Sequence, residues 1–147
     1  MKKALLLLAA WCSITLHAAD FPAGSPKFFT TSSAVLKAAK ENGKPIVMIF
    51  SASWCGPCQS MVKDVYPSSL VQPLQDKFNW AYLDIDNEAN GKLSEGFKVE
   101  TIPQVFFLDA AGKTTLDHLA DATTPENFAK KLTKVLKKDA ATKKGGA

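Results

Sequence analysis

The alternation of apolar and polar positions divides the chain into strand-like and helix-like segments. Ile46-Val47-Met48-Ile49-Phe50 is apolar throughout, and a strand without polar alternation is one buried on both faces, with helices above and below it. Before it, Val35, Leu36, Ala38 and Ala39 recur at helical spacing. Ser32 or Ser33 serves as N-cap there and Gly43 as the residue past the C-terminus. After Cys58, the residues Met61, Val62 and Val65 continue a helix that should stop near Tyr66, because Pro67 follows. A short helix is expected around Pro73, carrying Leu74 and Phe78, and Trp80 to Ile85 reads as a second strand. Gly91 to Phe97 is weakly helical. Val105-Phe106-Phe107-Leu108 is a third strand, and Asp109 to Gly112 a hairpin turn into a fourth over Thr114 to Leu119. Thr124-Pro125-Glu126 combines an N-cap, an N1 proline and an early acid. It opens a last helix with Phe128, Leu132, Val135 and Leu136 on one face. Phe28-Phe29 is a candidate fifth, edge strand.

A strand–helix–strand unit gives two parallel strands joined by a right-handed crossover. The hairpin then pairs with the first of them, so the fold class is α/β, a mixed four- or five-stranded sheet with helices on both faces. Residues 32–136 form the one expected domain. Residues 20–31, with Pro22, Gly24 and Pro26, read as a flexible leader. Residues 137–147, rich in Lys, Ala and Gly, read as a disordered tail with no apolar face to bury.

The first 19 residues stand apart. Lys2 and Lys3 precede an apolar run from Ala4 to Leu16, too short to span a bilayer comfortably, and Ala18-Ala19 follows. This is the pattern of a signal peptide cleaved near Ala18 or Ala19, and it implies a periplasmic or otherwise exported protein. Cys12 leaves with it, so Cys55 and Cys58 are the cysteines of the mature chain. A single pair in an exported chain is not a multiply stapled scaffold; it is catalytic or a lone clip. The charge is uneven. Residues 20–124 hold nine Lys against twelve acids, net −3, and residues 125–147 hold seven Lys against two, net +5. The chain has no Arg, which argues against nucleic-acid binding, where bidentate guanidinium groups are favoured.

The chemistry is concentrated in Ser53-Trp54-Cys55-Gly56-Pro57-Cys58, directly after the buried strand. If a helix opens there, Cys55 sits at its N-terminal edge, where orphan N–H groups and the helix dipole favour a thiolate. The i, i+3 spacing lets Cys58 close on Cys55 within one turn. Pro57 fits the first turn, which needs no donor there, and stiffens the loop. A lowered thiol pKa beside a resolving thiol defines a disulfide-exchange site. An inert staple is the competing reading, but a four-residue loop constrains the unfolded chain little. Zinc would need four ligands, and the mature chain adds only His118, read here as a packing or surface residue. Asp84 and Asp86 read as strand-end and turn residues, since no further carboxylates follow at metal-loop spacing.

Trp54 to Cys58 resembles the Trp-Cys-Gly-Pro-Cys signature of the thioredoxin superfamily, and Thr101-Ile102-Pro103 before a strand resembles its cis-proline loop. The likeness covers about Leu36 to Leu136 and is nearest to exported thioredoxin-like proteins and to the C-terminal domain of the membrane thiol reductase DsbD. It implies a thioredoxin fold with strand order Trp80–Ile85, Ile46–Phe50, Val105–Leu108, Thr114–Leu119. It also implies a protein thiol:disulfide oxidoreductase in which Cys55 attacks and Cys58 resolves, with no cofactor beyond the Cys55–Cys58 disulfide and no metal. Trp54, Gly56, Pro57, Ile102 and a cis Pro103 would receive the substrate chain, Ile102 through its backbone.

Two positions depart from the family pattern. Where many thioredoxins bury an Asp and pair it with a Lys, this chain has Ile49 and Tyr82, so the proton leaving Cys58 would travel through water or another group such as Glu100. Cys-Gly-Pro-Cys goes with reducing members, so the expected partners are proteins with disulfides and a membrane thiol reductase as electron donor. A monomer is expected. The competing readings are an oxidase or isomerase, and a non-catalytic thioredoxin-like adaptor or chaperone.

Overall fold

The structure, a computed structural model, describes residues 21–146. The expected signal peptide and its cleavage position lie outside the described residues. Five strands form one sheet: β1 (Phe28–Phe29), β2 (Ile46–Ser51), β3 (Asn79–Asp84), β4 (Gln104–Leu108) and β5 (Thr115–Leu119), in the order β1-β3-β2-β4-β5. β1 and β2 both run parallel to β3, while β4 is antiparallel to β2 and to β5. The expected order of the four main strands is the observed one, and Phe28-Phe29 supplies the fifth.

All six residues of β2 are buried. Val47 and Ile49 enter one apolar cluster with Met61, Val65, Tyr66, Trp80, Phe107 and Phe128. Ile46, Met48 and Phe50 enter another with Val35, Ala39, Leu83 and Phe106. Period-two alternation in a strand without polar residues thus feeds two cores, as the uninterrupted apolar run requires. Helices α1 (Ser32–Asn42), α2 (Gly56–Ser60), α3 (Gln72–Gln75), α4 (Glu88–Gly96) and α5 (Pro125–Gly145) cover the sheet. The chain continues α2 as one π-helical turn, Met61–Val65, closed by the Tyr66 N–H on the Met61 carbonyl at 3.0 Å.

Several expectations are corrected. α1 is capped by Thr31, whose hydroxyl accepts from the Ala34 N–H at 3.3 Å, and not by Ser32 or Ser33; four successive hydroxyl residues, Thr30 to Ser33, offer the same chemistry, and the sequence does not rank them. α3 ends at Gln75, so Phe78 lies beyond the helix, buried beside Trp80. Residues 21–31 are no loose leader. Phe21 packs tilted against Phe28, ring centres 4.4 Å apart, and edge-to-face against Tyr82 at 5.2 Å, Pro26 is buried, and the Gly24 carbonyl accepts from Gln75 Nε2 at 2.8 Å. Nor is the stretch from residue 137 a disordered tail: α5 runs on to Gly145. The extension is held by charged side chains in place of an apolar stripe. Asp139 is buried and accepts from Lys143 Nζ at 2.6 Å, while the same ammonium reaches the Gly43 carbonyl at 2.8 Å.

Candidate functional site

β2 ends at Ser51, and the chain turns through Ala52 and Ser53 to place Cys55 at the N-cap of α2. The Cys55 backbone is extended, and its sulfur accepts from the Cys58 N–H at 3.2 Å. This donor is one that the first turn leaves without an intrahelical partner, so the same contact is available to a thiolate when the pair is reduced. Pro57 occupies the first turn, where its missing N–H costs nothing. Gln59 Nε2 donates to the Ala52 carbonyl at 3.1 Å and ties the loop to the helix behind it.

The two cysteines are joined as a disulfide, their Cα atoms 5.2 Å apart. Their surroundings differ. Cys55 is 6% exposed and lines a groove of about 500 Å³; Cys58 is 1% exposed and does not line it. Trp54, Gly56 and Pro57 form one wall of the groove, and Ile85, Val99, Glu100, Thr101 and Ile102 the rest. Of the residues expected to receive a substrate chain, Trp54, Gly56, Pro57 and Ile102 therefore come together around Cys55. The Ile102–Pro103 peptide is cis, and the Ile102 carbonyl oxygen lies 3.6 Å from Cys55 Sγ. Pro103 itself is buried behind the rim.

Trp54 is 66% exposed, yet its indole N–H donates to Asp86 Oδ2 at 2.9 Å, which fixes the ring at the groove edge. Asp86, Ile85 and Val99 were not among the expected site residues. Ile85 and Asp86 follow β3 where it runs parallel to β2, and the carboxyl ends of adjacent parallel strands are where α/β sheets place their ligands; that rule was the available signal. Glu100 lines the same groove as Cys55 and is exposed.

Ile49 and Tyr82 are register partners on β2 and β3, both packed in the first core cluster. The Tyr82 hydroxyl is engaged by buried Ser51, whose Oγ lies 2.6 Å away. A hydroxyl pair thus bridges the two strands on this face. Burial pushes the Tyr66 phenol far up, with Tyr82 adding to the shift, so it stays protonated. His118 stacks on Phe106 with ring centres 4.2 Å apart and bonds through Nε2 to Gln104 Oε1 at 2.9 Å. Burial and then the Lys131 charge lower its pKa, against the opposing pull of Asp117; it is an exposed residue whose ring packs on the sheet. Among the described residues, no three His, Cys, Asp or Glu side chains gather as a metal site would need.

A buried disulfide with one sulfur edging a groove, at a strand-to-helix junction, is suited to thiol:disulfide exchange with an extended chain. Known proteins resemble this chain. A thioredoxin-like domain family matches residues 33–136. The chloroplastic thioredoxin-like protein HCF164 of Arabidopsis thaliana is 39% identical over 88 residues, 60% of this chain and 33% of the relative. A thiol:disulfide interchange protein TxlA homolog of Synechocystis is 32% identical over 88 residues, 58% of this chain and 47% of that protein. The chain thus spans a third to a half of the length of these curated relatives. Among solved structures, a thioredoxin from Thermus thermophilus superposes with a TM-score of 0.73 at 23% identity, covering 83% of this chain and 95% of its own. The oxidised C-terminal domain of Neisseria meningitidis DsbD gives 0.59 at 22% identity, covering 71% and 95%. At these identities the likeness speaks for the fold, while the family match spans most of the chain: the protein belongs to the thioredoxin-like family.

Proposed function

We propose that the protein is a periplasmic thiol:disulfide oxidoreductase that reduces disulfides of other exported proteins. The observation that carries the roles is the unequal exposure of the pair: Cys55 edges the groove, and Cys58 lies behind it at 1% exposure. A substrate disulfide can reach the Cys55 sulfur and not that of Cys58. In the reduced protein, the Cys55 thiolate attacks one substrate sulfur, and the substrate S–S bond breaks to release a thiolate. The Cys58 thiolate then attacks Cys55 Sγ, frees the second substrate thiol and leaves the Cys55–Cys58 disulfide. The two electrons gained by the substrate are those lost by the pair.

Trp54, Gly56, Pro57 and Ile102 receive the substrate segment while Pro103, buried, keeps the cis peptide that presents Ile102, and the Ile102 backbone beside Cys55 suits main-chain pairing with an extended strand. Support for export is the run from Lys2 to Ala19, cleaved near Ala18 or Ala19. The mature protein, with its catalytic domain over residues 32–136, acts as a monomer and draws electrons from a membrane thiol reductase. The experiment that tests direction is equilibration of the pair with a thiol–disulfide redox buffer. A potential near about −270 mV supports a reductant, and one near about −120 mV replaces this reading with an oxidase.

A further inference from the structure

Among the described residues, Glu100 is the one charged side chain lining the cysteine groove, with Trp54, Gly56, Pro57, Ile85, Val99, Thr101 and Ile102 around it. A second carboxylate stands at the edge, because Asp86 holds the Trp54 indole at 2.9 Å. Among the described residues, no lysine lines the groove. The nearest lysines in sequence are Lys92, paired with Glu88 at 2.6 Å, and Lys98. From Asp84 to Pro103, the segment that builds this wall, the sequence holds five acids against two lysines, net −3. The chain's positive charge lies elsewhere: Lys130, Lys134 and Lys137 line a separate groove with Leu70 and Leu74, sharing no residue with the first.

We infer that the groove selects substrate segments carrying a Lys or Arg next to the disulfide cysteine, with Glu100 as the specificity-determining residue. The inference rests on the exchange reaction proposed above. Cys55 Sγ lies 3.6 Å from the Ile102 carbonyl, and Glu100 is two residues from Ile102 on the same loop. A substrate cysteine seated on Cys55 therefore brings its neighbour past the Glu100 carboxylate. A rim charge of this kind acts on encounter and salt dependence more than on the chemical step.

The test uses disulfide-linked dimers of three short capped peptides, identical except for Lys, Gln or Glu beside the cysteine. The mature protein, in which Cys55 and Cys58 are the cysteines, is reduced beforehand, freed of reductant and mixed with each dimer. The single-turnover rate is read by quenching, alkylation and mass analysis, so the physiological direction of electron flow does not matter. A flanking Lys also lowers the peptide thiol's own pKa and makes it a better leaving group, so each rate is divided by that of the same dimer with dithiothreitol. The expected corrected ratio of Lys to Glu peptides is about threefold to tenfold at low ionic strength, shrinking toward one near 1 M salt, where screening acts within a few ångströms. Glu100→Gln should bring the ratio close to one, and Glu100→Lys should invert it. A corrected ratio of one in the wild type, or a preference unchanged in Glu100→Gln, overturns the inference while leaving the exchange reading intact. Failure of the wild type to reduce any dimer that dithiothreitol reduces overturns both.

Discussion

Ile49 and Tyr82 stand where the family resemblance implies a buried Asp and Lys. Ile49 is fully buried and sits opposite Tyr82 in the parallel ladder. Ile49→Asp is therefore expected to destabilise by about 2–4 kcal/mol, the cost of burying an unpaired polar group. Ile49→Asp with Tyr82→Lys should recover part of that loss, since register partners are close enough to couple. The recovery is incomplete because the Lys also deprives Ser51 Oγ of its 2.6 Å partner. Urea melts of the two variants check this; a fully stable Ile49→Asp would mean that the residue is not enclosed. Trp54-Cys55-Gly56-Pro57-Cys58 was legible in the sequence because its chemistry is local. The Ser51–Tyr82 and Trp54–Asp86 contacts were not, because each joins residues about thirty positions apart through the β2–β3 register. No periodicity along one strand reports what lies across from it.

Element order was legible wherever apolar periodicity carried it, as in β2, β4 and the first turns of α5. It failed where polar groups perform the packing. The end of α5 is fastened by Asp139 and Lys143, and residues 21–31 by an aromatic cluster whose members come from three separate segments. The β4–β5 turn shows the local rule at its most demanding. Gly112 has φ +69°, and a Cβ there would collide with the Leu36 side chain of α1. Gly43 has the same φ but open space around it. Both substitutions to Ala pay for the left-handed backbone, about 1 kcal/mol; Gly112→Ala also makes the end of the half-buried Leu36 side chain move and should cost about 1 kcal/mol more. Thermal melts of the two variants compare them directly. Equal losses would mean that the turn can move off Leu36.

Across the whole molecule, α5 is clamped to the sheet through Asp117 on β5. Lys131 reaches its carboxylate at 3.3 Å, Lys138 at 3.4 Å and Lys134 at 3.6 Å. Burial opposes ionisation of this carboxyl, but the His118 N–H and the Lys131 hydrogen bond and charge, with Lys138 behind them, outweigh it and bring its pKa to about 2. A carboxyl depressed on folding contributes stability that is complete above its unfolded pKa of about 3.9 and is lost as pH falls through about 2. Asp117→Asn should therefore lower stability at pH 7 and differ less from wild type at pH 2. Equal differences at both pH values would show that the charge is not what holds α5. The two cores, the helices and this clamp position one exposed surface, the Cys55 edge of the groove. The measurement that bears most directly on its role is trapping of mixed disulfides with a disulfide-bonded protein substrate, read by non-reducing mass analysis. Cys58→Ser should accumulate substrate covalently bound through Cys55, because the resolving thiol is gone, and Cys55→Ser should accumulate none. Equal trapping by both single variants, or trapping through Cys58 alone, would contradict the account.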